Sequence, residues 1–539
     1  MRMEKLLEAS REILRRMALG EIKDSGDLSR AKIEACRKFG LPRPPRNSEI
    51  LSAAGEDERR GLIDLLRIKP VRSLSGVSVI TVMPRPYPCP KDSPCIYCPG
   101  GPASGTPQSY TGREPAAMRA LQHNFDPYAQ VKSRIDQLRA IGHEVDKVEL
   151  IIFGGTLTAY PPDYLEWFVT QCLNAMSGAS AATIEEAQAA AETAPVRVSD
   201  IALETRPDWC RKQHVDLMLR LGATRVELGV QTVHEDIYRL VGRGHTVEDV
   251  AEATRMARDA GFAVVYHCML NLPGSSYERD LESFREIFSD ERFKPDAIKI
   301  YPTLVLPGTG LHELWMKGEY SPYPLEQLVG LISEIKRMVP RWVRIQRIQR
   351  DIPLTLVSAG GWRGDLRALV QRRMAEEGTR CRCIRCREVG HARRRLGEEP
   401  GEVKLLVERY RASGGEEVFI SAEDVERDIL VGLLRLRQPS ESAHRPEVAG
   451  AMIVRELHVY GPLVPVEAEA GAGEWQHRGV GRALLQEAER ISREEFDARK
   501  IAVLAGIGTR NYYRRFGYGR EGPYMVKELK ASSRSVQVV

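Results

Sequence analysis

Val77-Ser-Val-Ile-Thr-Val82 leads, six residues on, into Cys89-Pro-Lys-Asp-Ser-Pro-Cys95-Ile-Tyr-Cys98-Pro-Gly-Gly101. The first piece is β-branched and strand-like; the second is a Pro- and Gly-rich loop with three thiols at C-x5-C-x2-C. Five more strand-like runs follow at 148–153, 200–203, 225–230, 263–269 and 297–301, separated by helical sequence. Thr246-Val-Glu-Asp249 signals a capping box for one of those helices, and Gly261 stops it after Ala260. Six strands alternating with helices predict parallel βα units, in an open doubly wound sheet or a barrel. Functional residues then lie just past the C-terminal strand ends. The second to fourth strands end on Ile151-Ile-Phe-Gly154-Gly155-Thr156, Glu204-Thr-Arg206-Pro-Asp208 and Glu227-Leu-Gly-Val-Gln231. Residues 178–195 are Ala-rich and read as a helical or mobile insertion without chemistry.

Three thiolates in a loop after the first strand suit a cubane iron–sulfur cluster held by three of its four irons; by spacing alone they equally suit zinc. The strand ends favour the cluster. A Gly pair lets a ligand's amino group approach backbone carbonyls, and Glu204 and Arg206 suit a ribose and a carboxylate, as S-adenosylmethionine bound to an open iron requires. A second thiol group, Cys381-Arg-Cys383-Ile-Arg-Cys386, offers three soft ligands; zinc needs a fourth, for which His391 is the nearest candidate. Cys36, Cys172, Cys210 and Cys268 are scattered and read as small buried hydrophobes.

The 539 residues allow about three to five domains. A net charge of +5 excludes a uniformly cationic chain, but residues 331–395 hold seventeen Arg and Lys against six acids. That basic stretch contains the second thiol group and reads as an RNA-facing linker. Residues 1 to about 70 read as basic helices. No apolar run nears the roughly 20 residues of a membrane span, and the N-terminus shows no export signal, so the cytoplasm is expected.

Near the C-terminus, Gln476-His-Arg-Gly479-Val-Gly481 opens an apolar-periodic helix and follows the strand-like Glu456-Leu-His-Val-Tyr-Gly461. A glycine loop at a helix start turns free N–H groups toward an anion, here the coenzyme A pyrophosphate. Asn511-Tyr512-Tyr513 and Phe516-Gly517-Tyr518 come later. This order is similar to the GNAT-type acetyltransferase fold. The likeness implies that Tyr513 approaches the thioester, assisted by Tyr512.

The cluster loop, Phe153-Gly-Gly-Thr156, Glu204-Thr-Arg-Pro-Asp208 and Glu227-Leu-Gly-Val-Gln-Thr232 resemble the radical S-adenosylmethionine (SAM) enzymes, and more closely the Elongator catalytic-subunit family. Gly508-Thr-Arg-Asn-Tyr-Tyr-Arg514 extends the resemblance over about residues 75–539. It implies an α/β chain in which a partial (β/α) barrel radical SAM domain is fused to a GNAT-type N-acetyltransferase domain. The domains would be a basic helical tRNA-binding region at 1–75, the partial barrel at 76–340, a basic zinc-binding linker at 341–400 and the acetyltransferase domain at 401–539. It also implies a [4Fe-4S] cluster on Cys89, Cys95 and Cys98, with Gly154, Gly155, Thr156, Glu204, Arg206 and Gln231 around SAM. Zinc would sit on Cys381, Cys383 and Cys386. Acetyl-CoA would meet Lys147, Glu456, Leu457, His458, Val459, Gln476, Gly479, Val480, Gly481, Arg482 and Tyr513. The expected activity is tRNA carboxymethyluridine synthesis at wobble uridine 34, on the anticodon stem-loop, with an external electron donor, by a monomer or homodimer away from membranes. The rival reading is a protein lysine acetyltransferase with a structural cluster.

Overall fold

The computed structural model describes residues 2–55, 62, 65–67, 75–361, 363–397, 399–461 and 479–530. Its frame is two seven-stranded sheets. The first holds β1 (Ser78–Val82), β2 (Lys147–Ile152), β3 (Arg197–Thr205), β4 (Arg225–Gln231), β5 (Ala263–Leu270), β6 (Ala297–Pro302) and β7 (Arg344–Ile348), in that spatial order. Every adjacent pair is parallel. β1 and β7 are the two edges, so the sheet is a half-barrel. Helices such as Pro162–Ser177, Val247–Asp259 and Leu325–Met338 cover it, and their apolar faces close on Leu150, Leu203, Val226 and Ile298. The capping box at Thr246 is present, and Gly261 takes φ +91°.

β7 was not among the six expected strands. It lies within the stretch read as linker, where Arg344, Gln346 and Arg347 alternate with the buried Ile345 and Ile348. Positive charge hid its strand pattern. Its arginines have partners from elsewhere in the chain, such as Arg344 with Glu388.

The second sheet runs β13 (Gly519–Glu521), β14 (Tyr524–Glu528), β12 (Lys500–Val503), β11 (Ala451–Val459), β10 (Ile429–Gln438), β9 (Gly415–Asp424), β8 (Lys404–Ala412). Only β11 and β12 are parallel. Their pairing stops at Val454–Val503, while β11 continues alongside β10 to Val459. The two strands therefore splay, opening a cleft along Glu456–Val459.

This sheet covers the N-terminal end of the half-barrel. Arg455 grips Asp296, just before β6, with two hydrogen bonds of 2.7 and 2.8 Å. Arg437 donates to Asp259, at the end of the helix before β5 (2.6 and 3.0 Å). The loop after β12 lies against the start of β3: a Cβ at Gly506 would fall 2.0 Å from the Ser199 carbonyl oxygen, so only glycine fits. Residues 178–195 are helical, as one reading of the sequence had it, and they also carry a structural contact. They contain the helix Ile184–Ala191, and Glu192 accepts from Arg510 (3.1 Å) and Arg514 (2.6 Å) of the second module.

Three N-terminal helices, Arg2–Ala18, Ser25–Lys38 and Asn47–Ala53, share a small core of Ala9, Ile13, Met17, Leu28, Ile50 and Leu51. Among the described residues no helix is long and apolar enough to cross a membrane.

The basic stretch differs from its sequence reading. Arg341 and Arg387 pair with Glu423, and Arg380 and Arg382 with Asp428, all across to the second sheet. Much of the local positive charge is thus spent inside the fold. Arg372, Arg394 and Arg395 remain exposed.

Candidate functional site

The cysteine loop lies at the C-terminal mouth of the half-barrel. Cys95 is buried, with Cys89 and Cys98 partly exposed. The Cys98 amide donates to the Cys95 carbonyl (2.9 Å), and Ile96 ties the loop to Val241 and Leu311 through backbone bonds of 3.1 and 2.7 Å. Cations surround the first buried thiol: Lys91 Nζ lies 3.4 Å and Arg243 Nη1 3.8 Å from Cys95 Sγ. Burial opposes ionisation there, but Arg243 and Lys91 outweigh it and lower the thiol's pKa. Gln108 Nε2 donates to Cys98 Sγ (3.2 Å), and Ser109 Oγ lies 3.1 Å from it. Three thiols on one tied loop, two of them met by donors or cations, fit a thiolate-held iron–sulfur cluster.

The strand ends converge on this loop in different ways. Gly154 and Gly155 buttress it: their missing Cβ atoms would fall 3.0 Å from Pro84 and 3.1 Å from the Gln108 carbonyl oxygen, with the buried Thr156 following. Glu204 faces the lumen, accepting from Tyr110 Oη at 2.8 Å. Gln231 also lines the lumen and takes φ +74° at the end of β4, a strained left-handed backbone of the kind that gathers at functional sites. Arg206 does not line it. Its guanidinium is held by Asp208 (2.8 and 2.9 Å) and by the Arg243 carbonyl (2.9 Å), so it steadies the arginine that faces Cys95.

The half-barrel interior also holds polar residues absent from the expected site. Glu227 is fully buried; its Oε2 lies 2.7 Å from His267 Nε2 and is paired with Lys299. Burial opposes the Glu227 charge, but Lys299 and His267 prevail and hold its pKa below the usual carboxylate range. A charged residue within an apolar strand, as in Ile298-Lys-Ile300, is the signal that marks such a lumen-facing position.

In the second module, the helix Val480–Glu494 begins after Gly479 (φ +84°) with no side-chain cap among the described residues, a helix start of the kind that can receive an anion. Gly481 is packed by its neighbours: a Cβ there would lie 2.8 Å from Tyr512 Oη and 3.6 Å from both Leu457 and Val459. Strand, helix start and tyrosine thus meet at one point. Burial pushes the Tyr512 hydroxyl up to about 12 and raises Tyr513 as well, so both are donors at neutral pH. Glu456 Oε2 accepts from Arg435 Nε (2.7 Å), and His458 Nε2 lies 2.9 Å from the Ser75 carbonyl oxygen. Val480 packs on the sheet's apolar core. Lys147, Gly481 and Arg482 line the cavity described next, and burial lowers the Lys147 pKa. Gln476 lies outside the described residues.

One cavity of about 1230 Å³ reaches both places. Tyr97, Tyr110 and Glu204 line it toward the cysteine loop, and Lys147, Leu457, Gly481 and Tyr512 toward the second sheet.

The Cys381, Cys383 and Cys386 sulfurs lie within 4.8 Å of one another, the one group of three potential metal-ligating atoms that close among the described residues. A tetrahedral ion with bonds of ~2.3 Å draws thiolates to ~3.8 Å, so this triad fits a single zinc-sized ion. His391 is outside the group: its Nε2 is 3.1 Å from Glu388 Oε1.

A three-cysteine loop at the mouth of a parallel half-barrel defines the radical SAM class, and residues 88–287 match the Radical SAM superfamily model. Residues 295–376 match the Radical SAM C-terminal domain and residues 6–74 the ELP3 N-terminal domain. The chain is 49% identical over 518 residues to the tRNA uridine(34) acetyltransferase of Methanocaldococcus jannaschii, covering 95% of each chain. It is 47% identical over 512 residues to human Elongator complex protein 3, covering 94% of this chain and 93% of that one. The solved structure of Methanocaldococcus infernus Elp3 with an N-terminal deletion aligns at TM-score 0.75 and 46% identity, over 85% of this chain and all of that one. The chain therefore belongs to the Elongator complex protein 3 family.

Proposed function

We propose that this enzyme forms 5-carboxymethyluridine at the wobble uridine of tRNA, taking the two added carbons from acetyl-CoA. The single cavity lined by both the cysteine loop and the Tyr512 cleft is the observation that carries this reading. When bound, a [4Fe-4S] cluster with SAM supplies a 5′-deoxyadenosyl radical able to take hydrogen from an unactivated methyl group.

Cys89, Cys95 and Cys98 would hold the cluster, with Lys91 and Arg243 balancing thiolate charge. Glu204 and Gln231, facing the same lumen, would orient the cofactor's polar groups. In the second module, the uncapped helix start at Gly479–Arg482 would take the pyrophosphate, and the β11 edge in the splayed cleft would receive the pantetheine amides. Tyr512 and Tyr513, protonated at neutral pH, would donate hydrogen bonds at the thioester. Cys381, Cys383 and Cys386 would bind a structural zinc ion. The exposed Arg372, Arg394 and Arg395 and the N-terminal helices offer cationic surface for the anticodon stem-loop, predicting a salt-sensitive affinity.

The test is anaerobic reconstitution with SAM, acetyl-CoA, reductant and tRNA, followed by nucleoside mass analysis. A gain of 58 mass units is not needed to decide it: co-elution with authentic carboxymethyluridine, lost in Cys98→Ala, is the expected result. Lysine acetylation without any modified uridine would overturn it.

A further inference from the structure

The interior of a parallel barrel is normally filled by branched side chains. In this half-barrel the cavity follows the inward residues two by two: Lys147, Glu149 and Ile151 on β2; Ala263, Val265, His267 and Met269 on β5; Ala297, Lys299 and Tyr301 on β6. Val265 pairs in register with Ala297, His267 with Lys299, and Met269 with Tyr301, so three rows climb the lumen. The lowest row is small and apolar, with Ala263 below it. Beside it, the polar wall is internally neutralised: Arg225 pairs with Asp200 (2.8 Å) and with Glu149. The upper rows bring His267 and Lys299, both tied to Glu227, and then Met269 and Tyr301.

The acyl cleft opens at the bottom of this lumen and the cysteine loop at the top. Tyr301 lies four steps along β6 from Ala297, a climb of ~13 Å at ~3.3 Å per residue. Hydrogen abstraction requires contact, so a methyl group held beside Tyr512 is out of reach. Resting on the function proposed above, we infer that the lumen is a passage in which the acetyl end of the thioester, still on its pantetheine arm, rises past Val265 and Ala297 to the radical site. On the β5 and β6 side an uncharged acyl group meets small apolar side chains, with the paired Arg225, Asp200 and Glu149 beside it.

The test uses the full chain with its cluster reconstituted and compares the parent with Ala297→Phe. Three products are followed: 5′-deoxyadenosine, free CoA and the modified nucleoside. The expected result is a loss of modified nucleoside of about a hundredfold, with free CoA falling in step because the thioester stays intact until its methyl reaches the radical site, and with the 5′-deoxyadenosine formed in the absence of acetyl-CoA within about twofold of the parent. Unchanged nucleoside yield in a folded, cluster-loaded Ala297→Phe protein would overturn the passage. Where Ala297→Phe fails to fold, judged by circular dichroism and iron content, Ala297→Leu and Ala263→Val give the same pattern with a smaller loss. A second readout does not depend on product. A non-hydrolysable acetyl-CoA analogue labelled with ¹³C at the methyl should show magnetic coupling to the reduced cluster in the parent and lose it in the filled variant. Coupling without modified uridine would overturn the proposed reaction and leave the passage standing; absent coupling in a parent that binds the analogue would overturn the passage.

Discussion

The half-barrel and its junction with the second sheet are built from opposite materials. Around Leu150, Leu203, Val226 and Ile298, helices meet strands through aliphatic side chains. At the junction, equally buried, Arg455 meets Asp296 and Glu417, Arg437 meets Asp259 and Glu417, and Arg435 meets Asp296 and Glu456. Apolar packing is non-directional and tolerates small shifts, whereas a two-pronged guanidinium–carboxylate contact fixes distance and angle. The function proposed above, with two cofactor sites sharing one cavity, needs such a fixed relation, and the junction supplies it where the core alone would not.

The thiol triad belongs to both regions: its three sulfur residues pack with the barrel core, while Ile384 among them packs with Ile429 and Leu433 of the second sheet. Breaking it should give the largest effect. If the triad holds the zinc ion proposed above, Cys383→Ser is expected to release it, read by mass spectrometry, and to forfeit much of a binding free energy on the order of 10 kcal/mol.

Next comes the charge network. Burial opposes the Asp296 charge, but Arg455, Arg435 and Arg258 hold its pKa far below the ordinary value. Asp296→Ala strands these guanidiniums and should cost about 3–5 kcal/mol in denaturant unfolding. Leu203→Ala in the apolar core should cost about 2–5 kcal/mol. The two regions separate on repair: Asp296→Leu with Arg455→Met should recover only the Arg455 share of the loss, since Arg435, Arg258 and Glu417 keep buried charge without that partner. They also separate in acid. The Asp296 contribution is complete above the unfolded carboxyl pKa of ~3.9 and is lost as pH falls below it toward the depressed folded value. The Leu203→Ala difference should not change over that range.

Smaller effects follow at the glycine and glutamate contacts. Gly506→Ala pushes the loop off Ser199 and should cost about 1–3 kcal/mol. Glu192→Gln weakens the hold on Arg510 and Arg514, which flank Tyr512 and Tyr513, and should raise the KM for acetyl-CoA about tenfold. Formation of 5′-deoxyadenosine should be unaffected by that change.

These contacts also explain what the sequence could reveal. The cysteine loop, six parallel strands, the capped helix at Thr246 and the glycine loop at Gly479 are local patterns, each readable over a dozen residues. β7 was not, because Arg344 and Arg347 make sense in a strand only when Glu388 and Asp351 are in place. The count of seventeen cations suggested an open RNA surface, but Glu423 and Asp428, far along the chain, claim several of them. The Ala-rich segment reads as helical from its own residues, but its contact through Glu192 with Arg510 does not. The hold of Arg206 on the Arg243 carbonyl is a contact its motif did not announce. Most of these differences concern a charge with a partner distant in sequence, as Arg344 has in Glu388 and Arg341 in Glu423.

The arginines of β10 and β11 bear on how the chain can be divided. Arg435, Arg437 and Arg455 point out of their own sheet to meet Asp259 and Asp296 of the other module. A separately expressed C-terminal half would present these cations to water with part of their counter-charge missing, while the barrel half would be left with bare carboxylates at its base. Shuffling either module onto a foreign partner would therefore require the matching half of this charge pattern to travel with it.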